Sequence, residues 1–292
     1  MTTPGRRAYG RWGIFSRLAG LAGIALLSGC IEAGVLHPAG EVAARQRDHL
    51  MTIILWMLPV IVPVFLALPL IAWRYRIGGR GRYASRWSFS WPMEVLLWGL
   101  PVVVVCVLGW NLWRQTVSMD PYRAVGPGEV LRIDAIAYDW KWLFVYRHAG
   151  VASADRLVLP VGRPVELRLT SGTALQAFSV PRLGGQIYAM PGMASRFNLR
   201  ADAEGRFAGL NTQYNGAQFA RQHFVAEAVA PAAFDAWLAT AQAAPPLDAG
   251  TLARLAEPGV LDAPMAFGRV EGDPFDDTVK RLKAGKAPAD DG

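Results

Sequence analysis

The pattern of apolar and polar positions along this chain changes twice. Two long runs, Leu50 to Trp73 and Pro92 to Trp113, are almost free of charge, and each can cross a hydrocarbon layer of about 30 Å as a helix rising about 1.5 Å per residue. From Val130 the apolar stretches become short and are punctuated by glycine and proline: Val130–Ala137, Trp140–Tyr146, Leu157–Leu159, Val165–Thr170, Ala177–Val180, Arg196–Leu199 and Phe219–Val229. Along Pro164–Thr170 apolar and charged residues alternate, as in a strand with one wet face. This spacing predicts an antiparallel sandwich or barrel. After Ala230 the period turns helical. Pro231 opens a first helix, Asp248–Ala256 a second that Pro258-Gly259 stops, and Phe267, Phe275, Val279 and Leu282 supply a third piece, with Lys283–Gly292 read as a disordered tail.

The prediction is therefore a membrane α-helical hairpin, an all-β domain and a short helical C-terminal extension, with boundaries at 50–113, 114–229 and 230–292. Pro59, Pro63 and Pro69 would break a lone helix in water but are tolerated in a membrane where neighbours satisfy the freed carbonyls. Trp73, Tyr75, Trp87, Trp91, Trp110 and Trp113 stand at the ends of the runs, where amphipathic rings mark the headgroup level.

Charge decides the orientation. Arg74, Arg76, Arg80, Arg82 and Arg86 fill the loop 74–90 with no acidic residue, so that loop is expected on the cytoplasmic side and both flanks outside. The net charge of +7 comes from this loop and the N-terminus, whereas residues 114–292 carry 19 basic and 19 acidic side chains. A nucleic-acid partner is thereby excluded, because its binder would concentrate Lys and Arg on the soluble domain. Cys30 and Cys106 are the only cysteines, so neither a disulfide framework nor a thiolate metal site is expected.

At the N-terminus, Arg6, Arg7, Arg11 and Arg17 precede the apolar stretch Leu18–Leu27 and then Ser28-Gly29-Cys30. This is the layout of a signal peptide, 1–29, and its end resembles the lipobox of bacterial lipoproteins, which implies a lipid on the Cys30 thiol. The other reading is an uncleaved anchor with an incidental cysteine. Residues 30–49 are then an external tether. Glu94, the one carboxylate in either run, has two readings as well: an intramembrane functional group, or a first-turn charge that complements the helix dipole.

Three ordered motifs, Ala137–Trp142, Phe178–Met193 and Gly209–Phe224, resemble the signatures of subunit II of haem-copper oxidases, and within that family the bo-type ubiquinol oxidase branch. The resemblance spans nearly the whole chain. It implies a cupredoxin-like Greek-key barrel docked on a large catalytic subunit I, with subunit III and a small subunit IV as further partners, in a bacterial inner membrane. In cytochrome c oxidases the family carries a dinuclear copper centre, which needs bridging thiolates. Here its side-chain positions fall on Gln176, Asn211, Asn215, Phe219 and Gln222, and its carbonyl position on Gln213. No redox cofactor is then expected on this chain; haems, copper and the oxidation of ubiquinol belong to subunit I, and cytochrome c is no partner. Trp140 matches the electron-entry tryptophan of the copper-bearing relatives but is expected, with Trp142, to be a packing aromatic; Met190 and Met193 are expected to pack the barrel. Glu94 matches a glutamate near the mouth of a proton pathway, which implies proton uptake. Two other readings stay open: an electron-entry subunit of a cytochrome c oxidase, and a tethered cupredoxin-like scaffold lipoprotein.

Overall fold

The computed structural model describes residues 34–79, 81, 89–118, 122–123 and 125–285. Residues 1–33, with the predicted signal peptide and Cys30, lie outside the described residues, as do Arg80, Arg82, Arg86 and Trp87 of the basic loop and the last residues of the tail.

Two long helices, α1 (Glu41–Arg74) and α2 (Trp91–Ser118), pack against each other and leave most of their apolar side chains uncovered, Phe65 at 74% and Leu68 at 69% exposure. Both are long and apolar enough to cross a membrane. They form the chain's membrane anchor. All three prolines of α1 are accommodated within the helix.

Helix α1 starts nine residues before the apolar run, so 41–49 of the tether predicted over 30–49 is helix. The cause is a clamp on the β domain. Ala39 N–H donates to the Arg182 carbonyl at 2.7 Å, Asp202 N–H donates to the Ala39 carbonyl at 2.8 Å, and Ala39 and Ala43 are buried. Gly40 fits there because a Cβ would stand 2.4 Å from the Arg200 carbonyl oxygen. Glu41 then pairs with Arg200 at 3.3 Å and with Arg45 one turn on, which gives the charged first turn its partners.

The β domain consists of β1 (Leu131–Tyr138), β2 (Lys141–Tyr146), β3 (Val151–Ala154), β4 (Arg156–Pro160), β5 (Val165–Ser171), β6 (Gln176–Ser179), β7 (Gln186–Ala189), β8 (Ser195–Leu199), β9 (Gly205–Asn211) and β10 (His223–Val229). A short β11 (Met265–Phe267) returns from the C-terminal region. One sheet runs β11-β3-β2-β1-β5-β8 and the other β4-β10-β9-β6-β7. Crossovers place β1 beside β5 and β4 beside β10 in parallel, so the sandwich is mixed and not wholly antiparallel as the spacing suggested. Phe219–Arg221, predicted as the start of the last strand, forms a 3-10 turn before it.

Between the sheets lies an aromatic core. Trp142 meets Phe178 edge-on at 5.4 Å, and Phe178 stacks on Phe224 at 5.1 Å between centroids. Gly209 pairs with Phe224 across β9 and β10; a Cβ there would stand 2.1 Å from that ring. Met190 is half-buried and Met193 is 56% exposed, so Met193 does not pack the barrel, contrary to expectation.

The C-terminal region wraps this sandwich. Helix α3 (Pro231–Gln242) puts Phe234 and Trp237 on Tyr146, and helices α4 (Ala249–Ala256) and α5 (Pro274–Lys283) cover the outer face of the larger sheet. Leu247, Leu255, Phe267 and Phe275 close there on Ile136, Tyr138, Leu143 and Val145 as a second core. Strand β1 is thereby buried on both faces, which is why it reads as nearly continuous apolar sequence.

Candidate functional site

The start of β6, the end of β9 and the turn before β10 meet at one rim of the sandwich, beside the aromatic core. Each brings an amide. Gln176 and Gln222 are each two residues ahead of a core phenylalanine, so strand alternation points them the same way as Phe178 and Phe224. Gln222 is the hub. Its Nε2 donates to Gln176 Oε1 at 2.6 Å, and its Oε1 accepts from Asn211 Nδ2 at 2.9 Å and from Asn215 Nδ2 at 2.8 Å. Gln176 Nε2 donates onward to the Tyr138 carbonyl at 3.0 Å, while Asn211 Oδ1 accepts from the backbone N–H groups of Ala177 and Gln213 at 2.9 and 3.0 Å. Gln176, Asn211 and Gln222 are buried, and Asn215 Oδ1 has no hydrogen-bond partner.

Five of the six sequence-predicted positions therefore converge: Gln176, Asn211, Asn215 and Gln222 through side chains, and Gln213 through its backbone N–H. Phe219 stands apart, its ring packed edge-on against Tyr214 at 5.6 Å. Trp140 is half-buried in a left-handed turn with φ 67°, and its indole Nε1 is buried without a partner; Trp142 lies fully buried in the core. Glu94 stands in the first turn of α2, far along the chain from this rim, and accepts a hydrogen bond from Trp98 Nε1 at 3.1 Å. Cys30 lies outside the described residues.

Residues 145–229 match the model of the family described as cytochrome C oxidase subunit II, periplasmic domain. The chain is 34% identical over 267 residues to cytochrome bo(3) ubiquinol oxidase subunit 2 of Pseudomonas putida, covering 89% of this chain and 85% of the relative. Ubiquinol oxidase subunit 2 of Acetobacter aceti is likewise 34% identical, over 92% of this chain and 89% of its own length. This chain belongs to the ubiquinol oxidase subunit 2 family. The periplasmic domain of subunit II of cytochrome oxidase from Bradyrhizobium japonicum is similar over 40% of this chain and 96% of that one, at 24% identity and a TM-score of 0.37.

In this member of the subunit 2 family the rim residues do not fit a dinuclear copper centre. Soft thiolates must bridge the two ions of such a centre, with imidazole and thioether beside them. Neutral amides and a phenyl ring supply none of these, and the hub amide spends both of its polar atoms on the other three. Among the described residues no group of three or more His, Cys, Asp and Glu side chains could hold a metal ion.

Sequence reasoning missed two acids that the ubiquinol oxidase subunit 2 fold buries. Asp134 lies under the C-terminal helices, holding Arg168 and Arg147. Asp155 occupies a left-handed turn, φ 54°, between β3 and β4, and accepts the Trp142 N–H at 2.7 Å. A charge at an otherwise apolar strand position was the available signal for Asp134, and an Asp at a strand–strand junction the signal for Asp155.

Burial pushes the Asp155 carboxyl up to about 7, against the pull of the Trp142 N–H and the Lys141 charge. The folded protein then binds a proton that the unfolded chain, titrating at 3.8, has released. Between those two values the unfolded state holds fewer protons, so stability falls as pH rises, and above about 7 the loss is complete. Asp155→Asn keeps an acceptor for Trp142 N–H and tolerates positive φ. It should flatten this slope and raise the melting temperature at pH 8 by about 5 °C. Thermal melts of both proteins from pH 4 to 8 check it; parallel profiles would remove Asp155 from the account.

Proposed function

We propose that this chain is the subunit of a proton-pumping ubiquinol oxidase that carries no redox centre. The observation that supports this reading is the Gln222-centred amide cluster, which joins four copper-ligand positions by hydrogen bonds and leaves no soft donor there. Ubiquinol is oxidised and oxygen reduced in a partner, subunit I, which carries the haems and copper; subunit III and a small subunit IV complete the assembly. The work of this chain is to anchor, cap and assemble that enzyme on the outer side of a bacterial inner membrane, with its β domain exported, its basic loop cytoplasmic and Cys30 lipidated. Trp140 has no electron acceptor behind it in this reading, and cytochrome c is not a donor.

Purification through a tag on this chain in mild detergent tests the reading. Copurified haem with oxygen consumption on ubiquinol and none on reduced cytochrome c is expected. Activity on cytochrome c with extra copper would overturn it in favour of an electron-entry subunit, and a haem-free lone protein in favour of a tethered scaffold.

Glu94 is proposed to take up protons. It sits at the start of α2, a carboxylate within an apolar helix, held by Trp98. Glu94→Ala should slow turnover by about tenfold while haem content persists. Wild-type turnover across pH 6 to 9 would reduce Glu94 to a first-turn charge.

A further inference from the structure

The outer face of the larger sheet carries a groove of about 690 Å³, walled by Arg132, Arg147, His148, Glu166, Arg168 and Arg196. Its charges are unevenly satisfied. Arg168 and Arg147 are held from below by Asp134, with Asp273 and Asp276 of α5 and its N-cap beside them. Arg196 faces Arg168 directly across the β5–β8 pairing, where side chains stand about 5 Å apart at Cβ and like charges destabilise. Among the described residues the side chains of Arg196 and His148 make no ion pair or hydrogen bond. Arg132 has only Glu166 at 3.7 Å, beyond a good hydrogen bond. The sheet face thus holds one guanidinium and an imidazole without a protein partner, and a second guanidinium only loosely paired.

The height of the groove bears on what it grips. Its near edge is the row Leu131–Val165–Leu199, next to Arg200, which pairs with Glu41 of α1. From Glu41 the helix runs nine residues, about 13 Å, before Leu50 begins the apolar run. The headgroup layer is only about 5–8 Å thick on each side. With α1 along the membrane normal, the groove stands above lipid phosphates, at the level of extramembrane protein loops.

We infer that this groove receives an acidic segment of a neighbouring subunit, whose carboxylates bridge Arg132 and Arg196. Planar guanidinium forks take carboxylates two bonds at a time, which suits recognition here. The inference rests on the oxidase reading for the identity of the neighbour, though not for the chemistry of the groove.

The double variant Arg132→Ala/Arg196→Ala tests it in the full-length chain. At 150 mM salt its tag should retain about threefold less haem-bearing partner than wild type, a gap that closes as salt is raised. The free subunit should melt no lower than wild type, because a like-charge contact has been removed. Hexaglutamate should bind wild type by calorimetric titration and not the variant. Unchanged haem retention at every salt, or a lowered melting temperature accompanying the loss, would overturn the proposal. So would inorganic phosphate binding as tightly as hexaglutamate, which would make the groove a small-anion site. If the wild-type tag retains no haem, the oxidase reading has failed, and hexaglutamate binding alone decides the groove.

Discussion

Asp134→Ala is expected to destabilise the protein by about 3–5 kcal/mol and to loosen the C-terminal helices from the sheet. Asp134 is 1% exposed and binds two arginines: Arg168 through Nε and Nη2 at 2.7 and 3.1 Å, and Arg147 through Nε. Both arginines reach on to α5 or its N-cap, at Asp276 and Asp273, and Arg168 lies over the Phe275 ring at 4.3 Å. Removing the central carboxylate leaves two cations in a half-buried site with outer partners that water also screens. Asp276→Ala, at a side chain 40% exposed, should cost about 1 kcal/mol or less. Chemical unfolding and limited proteolysis of the region 243–285 read the two effects together. Equal, small losses for both variants would show that the second core holds the arm without Asp134.

Gln222→Ala should cost about 3 kcal/mol or more and lower the melting temperature by roughly 6–10 °C. The loss follows from counting what remains. Gln176 Oε1, Asn211 Nδ2 and Asn215 Nδ2 each lose a partner in a site where Asn215 Oδ1 already lacks one. Water can enter the space of the missing side chain and recover part of this. His223→Ala, one residue on and exposed, serves as the control and should leave the melt unchanged. A Gln222→Ala protein as stable as wild type would mean that the rim is not held by its amides.

The hairpin was legible because two long, nearly uncharged runs suit a membrane, and ordered motifs named the rim positions that the fold brings together. Other features were not. Glu41–His49 is polar and charged, and its helix depends on the clamp at Ala39, Gly40 and Ala43, a tertiary contact that no local pattern announces. Strands β3, β7 and β11 have only four, four and three residues, too few for alternation to show. β1 hides its period because the C-terminal helices bury its second face. That Gln222 is the hub depends on the 3-10 turn at Phe219–Arg221, where sequence pattern suggested strand. Motifs could name the amides, but only the fold shows which of them holds the others.

The clamp at Ala39 also has a mechanical side. Helix α1 runs 34 residues without a break, a rod of about 51 Å with one end fastened to the β domain. Such a rod is a lever. Tilting the β domain by about 10° would swing the far end at Arg74 through about 9 Å, toward or away from the end of α2 that carries Glu94. How the β domain is held thus bears on the spacing of groups at the far end of the two helices.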